Sequence, residues 1–298
     1  LGCALAIAPC FKMKFWNIGA EGQITMGAIF ASAIAIWSGP NVPRFVLLIL
    51  MLIAGIIGGA IWGFIPGFFK AKYNTNETLF TLMMNYVAIQ LVSFCIMYWV
   101  PSGSAVMGVI NMKSQAGWLP NLFGQKYLIN ILIVALLTVV MYVYLKYSKQ
   151  GYEITVVGES ENTARYIGIN VKKVIIRTMV LSGAMCGLAG FLLVSGTNHT
   201  ITTTTAGGRG FTAIMVSWLA KFNPIYMILT AFLISFMQAG AGEISTVFGL
   251  NESFSDILTG VILFFIIGCE FFVDFYFWRV TTKELCNNPF SDSPSFLK

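Results

Sequence analysis

Charge is what this chain most lacks. Of its 298 residues, 10% are Asp, Glu, Lys or Arg, against about 25% in soluble globular domains, so little solvated surface is encoded. Histidine occurs once, as His199, and the six cysteines (Cys3, Cys10, Cys95, Cys186, Cys269, Cys286) form no C-x-x-C pair. That pattern supports neither a zinc site nor a disulfide framework; cysteines in apolar runs read as small hydrophobic fillers. Also absent are G-x-x-x-x-G-K-[ST], H-E-x-x-H and G-x-S-x-G. The chain therefore does not cradle nucleotide phosphates by the first motif and carries no nucleophile elbow. One histidine and isolated acids do not supply a convergent nucleophile and base. No catalytic residue and no metal ligand is assigned.

Apolar residues fill the space that charge leaves. The composition is 57% hydrophobic and the mean hydropathy is +0.79. Runs of roughly 20 apolar residues suit a hydrocarbon core of ~30 Å. Their punctuation predicts spans at Gly22–Trp37, Phe45–Phe69, Leu79–Val100, Tyr127–Leu145, Val174–Ser195, Phe211–Ala220, Ile225–Ala239 and Ile257–Val273. The expected fold is an all-α, polytopic transmembrane helix bundle of about eight spans. Residues 1–280 form its single domain and 281–298 a cytoplasmic tail containing Pro289 and Pro294. Leu1 is not a Met and reads as following earlier segments.

Lys and Arg orient the bundle. With the basic stretch at 147–177 placed in the cytoplasm, alternation leaves only Arg44, Lys113, Lys126 and Arg209 of the 18 Lys and Arg residues outside. That is a strong positive-inside bias. The net charge of +6 thus reads as one membrane face rather than a nucleic-acid partner. Gly55, Gly59, Gly63 and Gly67 recur every four residues, as do Gly183 and Gly187. Small residues at that spacing let helix backbones approach closely.

Two apolar runs begin with glycine-rich interruptions, W-N-I-G-A-E-G-Q at Trp16–Gln23 and T-T-T-T-A-G-G-R-G-F at Thr202–Phe211. Interrupted hydrophobic segments in separate halves point to a transport pathway, and polar groups at membrane depth must face protein or a water-lined cavity. The pathway candidates are Asn17, Gly19, Glu21, Gln23, Asn85, Arg209 and Phe211. For Glu21, capping of its own helix stands beside the pathway role. His199, alone in a Thr-rich outer loop, is a poor metal ligand.

Four stretches in order resemble the permease subunits of bacterial ABC importers for nucleosides and simple sugars. They are W-N-I-G-A-E-G-Q-I-T-M-G-A from Trp16, T-N-E-T-L-F-T-L-M-M-N-Y-V-A (Thr75–Ala88), G-E-S-E-N-T-A-R-Y-I-G-I-N (Gly158–Asn170) and G-R-G-F-T-A-I-M-V-S-W-L-A-K-F-N-P (Gly208–Pro224). Trp16, Thr212 and Lys221 depart from the family pattern. The resemblance implies a multi-pass protein of the bacterial plasma membrane that moves a nucleoside or related small solute inward by alternating access. It binds no cofactor itself. ATP and Mg would sit on a separate cytoplasmic ATPase, and the other partners would be a related but different permease chain and an extracytoplasmic substrate-binding lipoprotein. Gly158, Glu159, Asn162, Arg165, Tyr166 and Gly168 would form the loop that contacts the ATPase. For Trp16 and Phe211, packing at the lipid interface or in the core stands beside stacking on a base. The alternatives are a permease for a simple sugar or amino acid, or a stand-alone channel or secondary transporter. The resemblance also places the family's first spans ahead of Leu1.

Overall fold

The computed structural model describes residues 1–39, 42–100, 107–122 and 124–249, with scattered positions between 251 and 272. All regular elements among the described residues are helical. In chain order they are α1 (Gly2–Lys12), α2 (Ala20–Ser38), α3 (Arg44–Tyr73), α4 (Glu77–Trp99) and α5 (Leu128–Tyr147), then α6 (Lys149–Glu159), α7 (Glu161–Tyr166), α8 (Val171–Leu192), α9 (Arg209–Leu219) and α10 (Pro224–Val247). A π-helical turn, Leu193–Asn198, continues α8.

Side-chain caps explain where the polar stretch breaks into helices. Ser148 accepts from the Gly151 amide to open α6, Ser160 from the Thr163 amide to open α7, and Asn170 from the Lys173 amide to open α8. Asn76 opens α4 by accepting from the Leu79 amide. Each supplies an acceptor to a backbone donor that has no partner within its helix.

Among the described residues five helices are long and apolar enough to cross a membrane: α3, α4, α5, α8 with its π-helical turn, and α10. The expected count of about eight is not reached among them. The predicted span at Phe211–Ala220 is α9, whose 11 residues rise only ~16 Å at 1.5 Å per residue. Half a ~30 Å core is all such a helix covers. α1, also of 11 residues, is equally short. The 19-residue α2 is buried along most of its length and carries Glu21 and Gln23 in its first turn. The predicted span at Ile257–Val273 lies largely outside the described residues, as does the tail at 281–298.

The first compact unit, Leu1–Ala231, is built on glycine contacts. A Cβ on Gly59 would overlap the Gly183 carbonyl and stand 2.6 Å from the Gly187 Cα; one on Gly63 would stand 2.5 Å from the Met179 carbonyl. Gly187 in turn abuts the Gly55 carbonyl, and Gly27 of α2 stands within 2.8 Å of the Gly187 carbonyl carbon by the same construction. The stripes read from the sequence thus bring α3, α8 and α2 together backbone to backbone, the close-packing mode that membrane helices use in place of a hydrophobic drive. Around this seam lies one apolar cluster including Met51, Val92 and Phe191. A second includes Cys10, Phe15, Ile154, Val157, Ala164 and Met179. It ties the polar stretch to the end of α1. The second unit, Phe232–Lys298, holds the later part of α10 and is helical at its described positions from 254 to 272.

Candidate functional site

The two glycine-rich interruptions, distant in sequence, meet at Glu21. Its Oε1 accepts from the Gly208 amide and its Oε2 from the Gly210 amide, both at 2.7 Å. Gly207 and Gly208 reach this geometry with φ of +56° and +72°, the left-handed region that glycine enters without a Cβ penalty. Gly210 must also be small, because a Cβ there would stand 2.8 Å from the Glu21 Cα. Glu21 lies in the first turn of α2, and the amides it binds open α9. Two helix N-termini therefore converge on one buried carboxylate. Each carries partial positive charge and donors without helical partners, so an anion between them offsets both. Glu21 makes no capping hydrogen bond to its own helix; its carboxylate caps the start of α9 instead.

Polar side chains secure the chain before α2. The Asn17 carboxamide donates to Ser182 Oγ at 3.2 Å, accepts from the Gly19 amide at 3.1 Å and faces Gln23 at 3.4 Å. Asn85 of α4 accepts from the Gly22 amide at 2.8 Å and donates to the Ile18 carbonyl at 3.0 Å. Thr81 accepts from the Ile18 amide at 3.2 Å, and Gly19 packs against it, a Cβ there standing 3.0 Å from the Thr81 Cβ. An interrupted backbone inside a bilayer has no water to bond; here Asn17, Thr81 and Asn85 replace it. Of the seven pathway candidates, Asn17, Gly19, Glu21, Gln23 and Asn85 thus form one buried network. Arg209 is spent in part on its own loop, its Nη1 donating to the Thr205 carbonyl at 3.0 Å. Phe211 is partly exposed on α9.

Aromatic rings gather below. Trp16 stacks on Trp218 at 5.5 Å and meets Phe11 edge-on at 5.5 Å, while Phe222 stacks on Phe11 at 6.0 Å. One environment for Trp16 is therefore another protein ring. Thr81, Ser182 and Trp218 belong to the constellation yet were missed as candidates. Thr81 sits one turn before Asn85 on a polar strip that the sequence displays; Ser182 and Trp218 carry no such local signal.

The polar stretch folds as a platform. Val157, Ile154 and Ala164 face inward, while Glu159, Asn162, Arg165 and Gly168 are exposed, and Tyr166 is 91% exposed. Glu161 and Arg165 pair at 3.3 Å on the outside. Glu153 pairs with Arg177 of α8 at 3.1 Å. Gly158 abuts the Lys12 carbonyl, with a Cβ 3.2 Å from the Met13 Cα. A side chain at 158 would push the platform off the end of α1.

Comparison with known proteins agrees with this architecture. Residues 2–267 match the family described as branched-chain amino acid transport system / permease component. The chain is 28% identical to a glucose ABC transporter permease protein of Haloferax volcanii, over 90% of this chain and 73% of that one. It is 29% identical to a guanosine ABC transporter permease protein of Bacillus subtilis (88% and 76%). It is 30% identical to a nucleoside ABC transporter permease protein of Lactococcus lactis subsp. cremoris (88% and 74%). No solved structure matches the chain. With nearly its whole length matched and five membrane-length apolar helices, the chain is an integral membrane protein that belongs to the branched-chain amino acid transport system permease family.

Proposed function

We propose that this chain is the membrane-spanning permease subunit of an ATP-driven importer, and that it carries a neutral solute, a nucleoside first, inward by alternating access. The observation behind the neutral solute is the Glu21 junction. Transporters built on broken helices commonly aim a half-helix N-terminus at an anionic group of the substrate. Here the protein's own carboxylate holds that position through the Gly208 and Gly210 amides. An amino acid would bring a second carboxylate to an occupied anion site; a nucleoside or sugar brings none. Relatives named for guanosine, nucleosides and glucose, all neutral solutes, support the same choice.

In this reading ATP and Mg are held by a separate cytoplasmic ATPase, which meets Asn162, Arg165 and Tyr166 on α7, with Gly158, Glu159 and Gly168 shaping the platform. Motion of that platform reaches α1 through the Gly158–Lys12 contact, and α1 leads through Asn17 into the Glu21 junction. A second, related permease chain and an extracytoplasmic substrate-binding lipoprotein complete the assembly.

The test is uptake into proteoliposomes holding this chain, its permease partner, the ATPase and the binding protein. Saturable, MgATP-dependent uridine or guanosine uptake, with leucine neither carried nor competing, is expected. Saturable ribose or glucose uptake indifferent to excess nucleoside overturns the nucleoside assignment, and leucine uptake overturns the exclusion of solutes that carry a carboxylate. Flux through this chain alone, without ATPase, overturns the importer.

A further inference from the structure

Away from the Glu21 junction, lysines gather where three helices end. Lys12 lies in the last turn of α1 and Lys146 in the last turn of α5, and Lys221 follows α9. All three border one cavity of about 390 Å³ between α1, α5 and the turn that joins α9 to α10, a size within the ~300–1,000 Å³ of small-molecule sites. Its other walls include Leu145, Phe222 and Pro224, and no carboxylate lines it among the described residues. The turn reaches this arrangement with φ of +48° at Lys221 and +58° at Phe222, a left-handed conformation that residues other than glycine rarely adopt. The positive-inside rule puts this end of the bundle in the cytoplasm.

Helix ends account for only part of this charge. A helix C-terminus carries about half a negative charge, so Lys12 and Lys146 each keep about half of their own. Lys12 is half-buried, and among the described residues neither it nor Lys146 forms an ion pair. The Lys146 Nζ donates instead to the Tyr142 hydroxyl at 3.0 Å and stands 5.3 and 5.6 Å from the centres of the Tyr142 and Tyr147 rings. That hydrogen bond engages one of its ammonium donors and leaves the others available. Tyrosine and lysine together at the end of a span mark the membrane–water interface. Further into the membrane Val139, Val140 and Val143 of α5 are exposed, as are Tyr226 and Leu229 on the first two turns of α10. Apolar surface suited to acyl chains therefore leads up to the charged cavity.

We propose that this cavity holds the headgroup of an anionic phospholipid of the cytoplasmic leaflet, with its phosphodiester at the Lys12 and Lys146 ammonium groups and its acyl chains along α5 and the start of α10. The charge left on the two lysines matches that of one phosphodiester, and basic pockets between membrane helices on the cytoplasmic side suit such headgroups. The site is independent of the solute carried. It adjoins the platform, because Gly158 abuts the Lys12 carbonyl.

The test is native mass spectrometry of the purified protein in a neutral detergent, titrated with phosphatidylglycerol or, for comparison, phosphatidylcholine. Phosphatidylglycerol should be retained in preference to phosphatidylcholine. Lys12→Gln combined with Lys146→Gln should weaken its binding roughly thirtyfold, about fivefold for each cation near the membrane surface. Lys172→Gln combined with Lys173→Gln removes the same charge from exposed positions at the start of α8 and should leave binding unchanged. Equal weakening by both pairs, or equal retention of the two lipids, overturns the site. Glycerol phosphate that binds through Lys12 and Lys146 while phosphatidylglycerol does not makes the occupant a soluble anion and overturns the lipid assignment. A second measurement uses the unaltered protein and so needs no variant to fold. In nanodiscs, replacing phosphatidylcholine with phosphatidylglycerol should slow acetylation of Lys12 and Lys146 about fivefold more than that of Lys172 and Lys173. Slowing that is equal at all four lysines refutes the proposal.

Discussion

Glu21→Gln replaces one oxygen of the junction carboxylate with an amide nitrogen and removes the charge, with almost no change in shape. In the native chain both oxygens accept at 2.7 Å, from Gly208 and Gly210, short distances typical of charge-assisted bonds. Such bonds contribute ~1.5–3 kcal/mol each, and neutral ones ~0.5–1.5. The glutamine keeps one acceptor, in the weaker class. At the other position an NH₂ faces a backbone N–H, leaving a buried donor unpaired, and the two helix N-termini lose their shared anion. The loss amounts to roughly 3–5 kcal/mol. For a chain of this length that is a fall in melting temperature on the order of 5–15 °C. Thermal unfolding of the purified protein in detergent, followed by intrinsic fluorescence, measures it. Glu21→Asp supplies the control. It keeps the charge but is one methylene short, and should fall between wild type and glutamine. A glutamine variant within about 0.5 kcal/mol of wild type would refute the claim that this carboxylate joins the two interrupted segments.

Other outcomes follow from packing and charge. Gly59→Ala forces a methyl into the Gly183 carbonyl and should cost at least ~1–3 kcal/mol, read as a lower melting temperature. Gly108→Ala, with no atom within 4 Å of the added Cβ, should shift stability by less than about 0.5 kcal/mol. Replacing Glu159 and Arg165 together with Ala breaks only the exposed Glu161–Arg165 pair, so stability should move by no more than ~1 kcal/mol. Transport in the assembled system should meanwhile lose its dependence on ATP hydrolysis, and a double variant that transports normally removes the platform from the coupling route. His199 stacks on Trp118 at 3.9 Å, and burial holds its pKa below the ordinary 6.5. The neutral form is thus the one the fold favours, and its contribution is complete above pH 6.5. Stability should fall as the pH drops from there through the folded-state pKa, and His199→Gln should flatten that part of a melting-temperature profile.

Much of the architecture can be read along the chain because membrane helices obey local rules. Length and apolarity delimit α3, α4, α5, α8 and α10, and the four-residue glycine stripes mark where α3 and α8 touch. Glycine with an acid or a base at the mouth of an apolar run also identifies both interruptions. The run at Phe211–Ala220 was misread as a full span. Alternation assumes that every apolar run crosses, whereas 11 residues cannot.

Partnership across the bundle is what the sequence leaves unstated. Glu21 and Gly210 are both visible as unusual residues, but a carboxylate in a first helical turn is locally satisfied by its own N-terminus, and nothing near it in sequence names a second one. Lys12 and Lys146 are more hidden still, each an ordinary last-turn cation whose neighbour across the cavity arrives from another helix. Sequence alone determined the class of protein, its span-forming segments and the places where helices break, since those depend on the transfer of each segment into lipid. Only the tertiary structure decided which broken end meets which carboxylate and which lysines share a cavity, because those outcomes depend on the positions of groups that the chain brings together from afar.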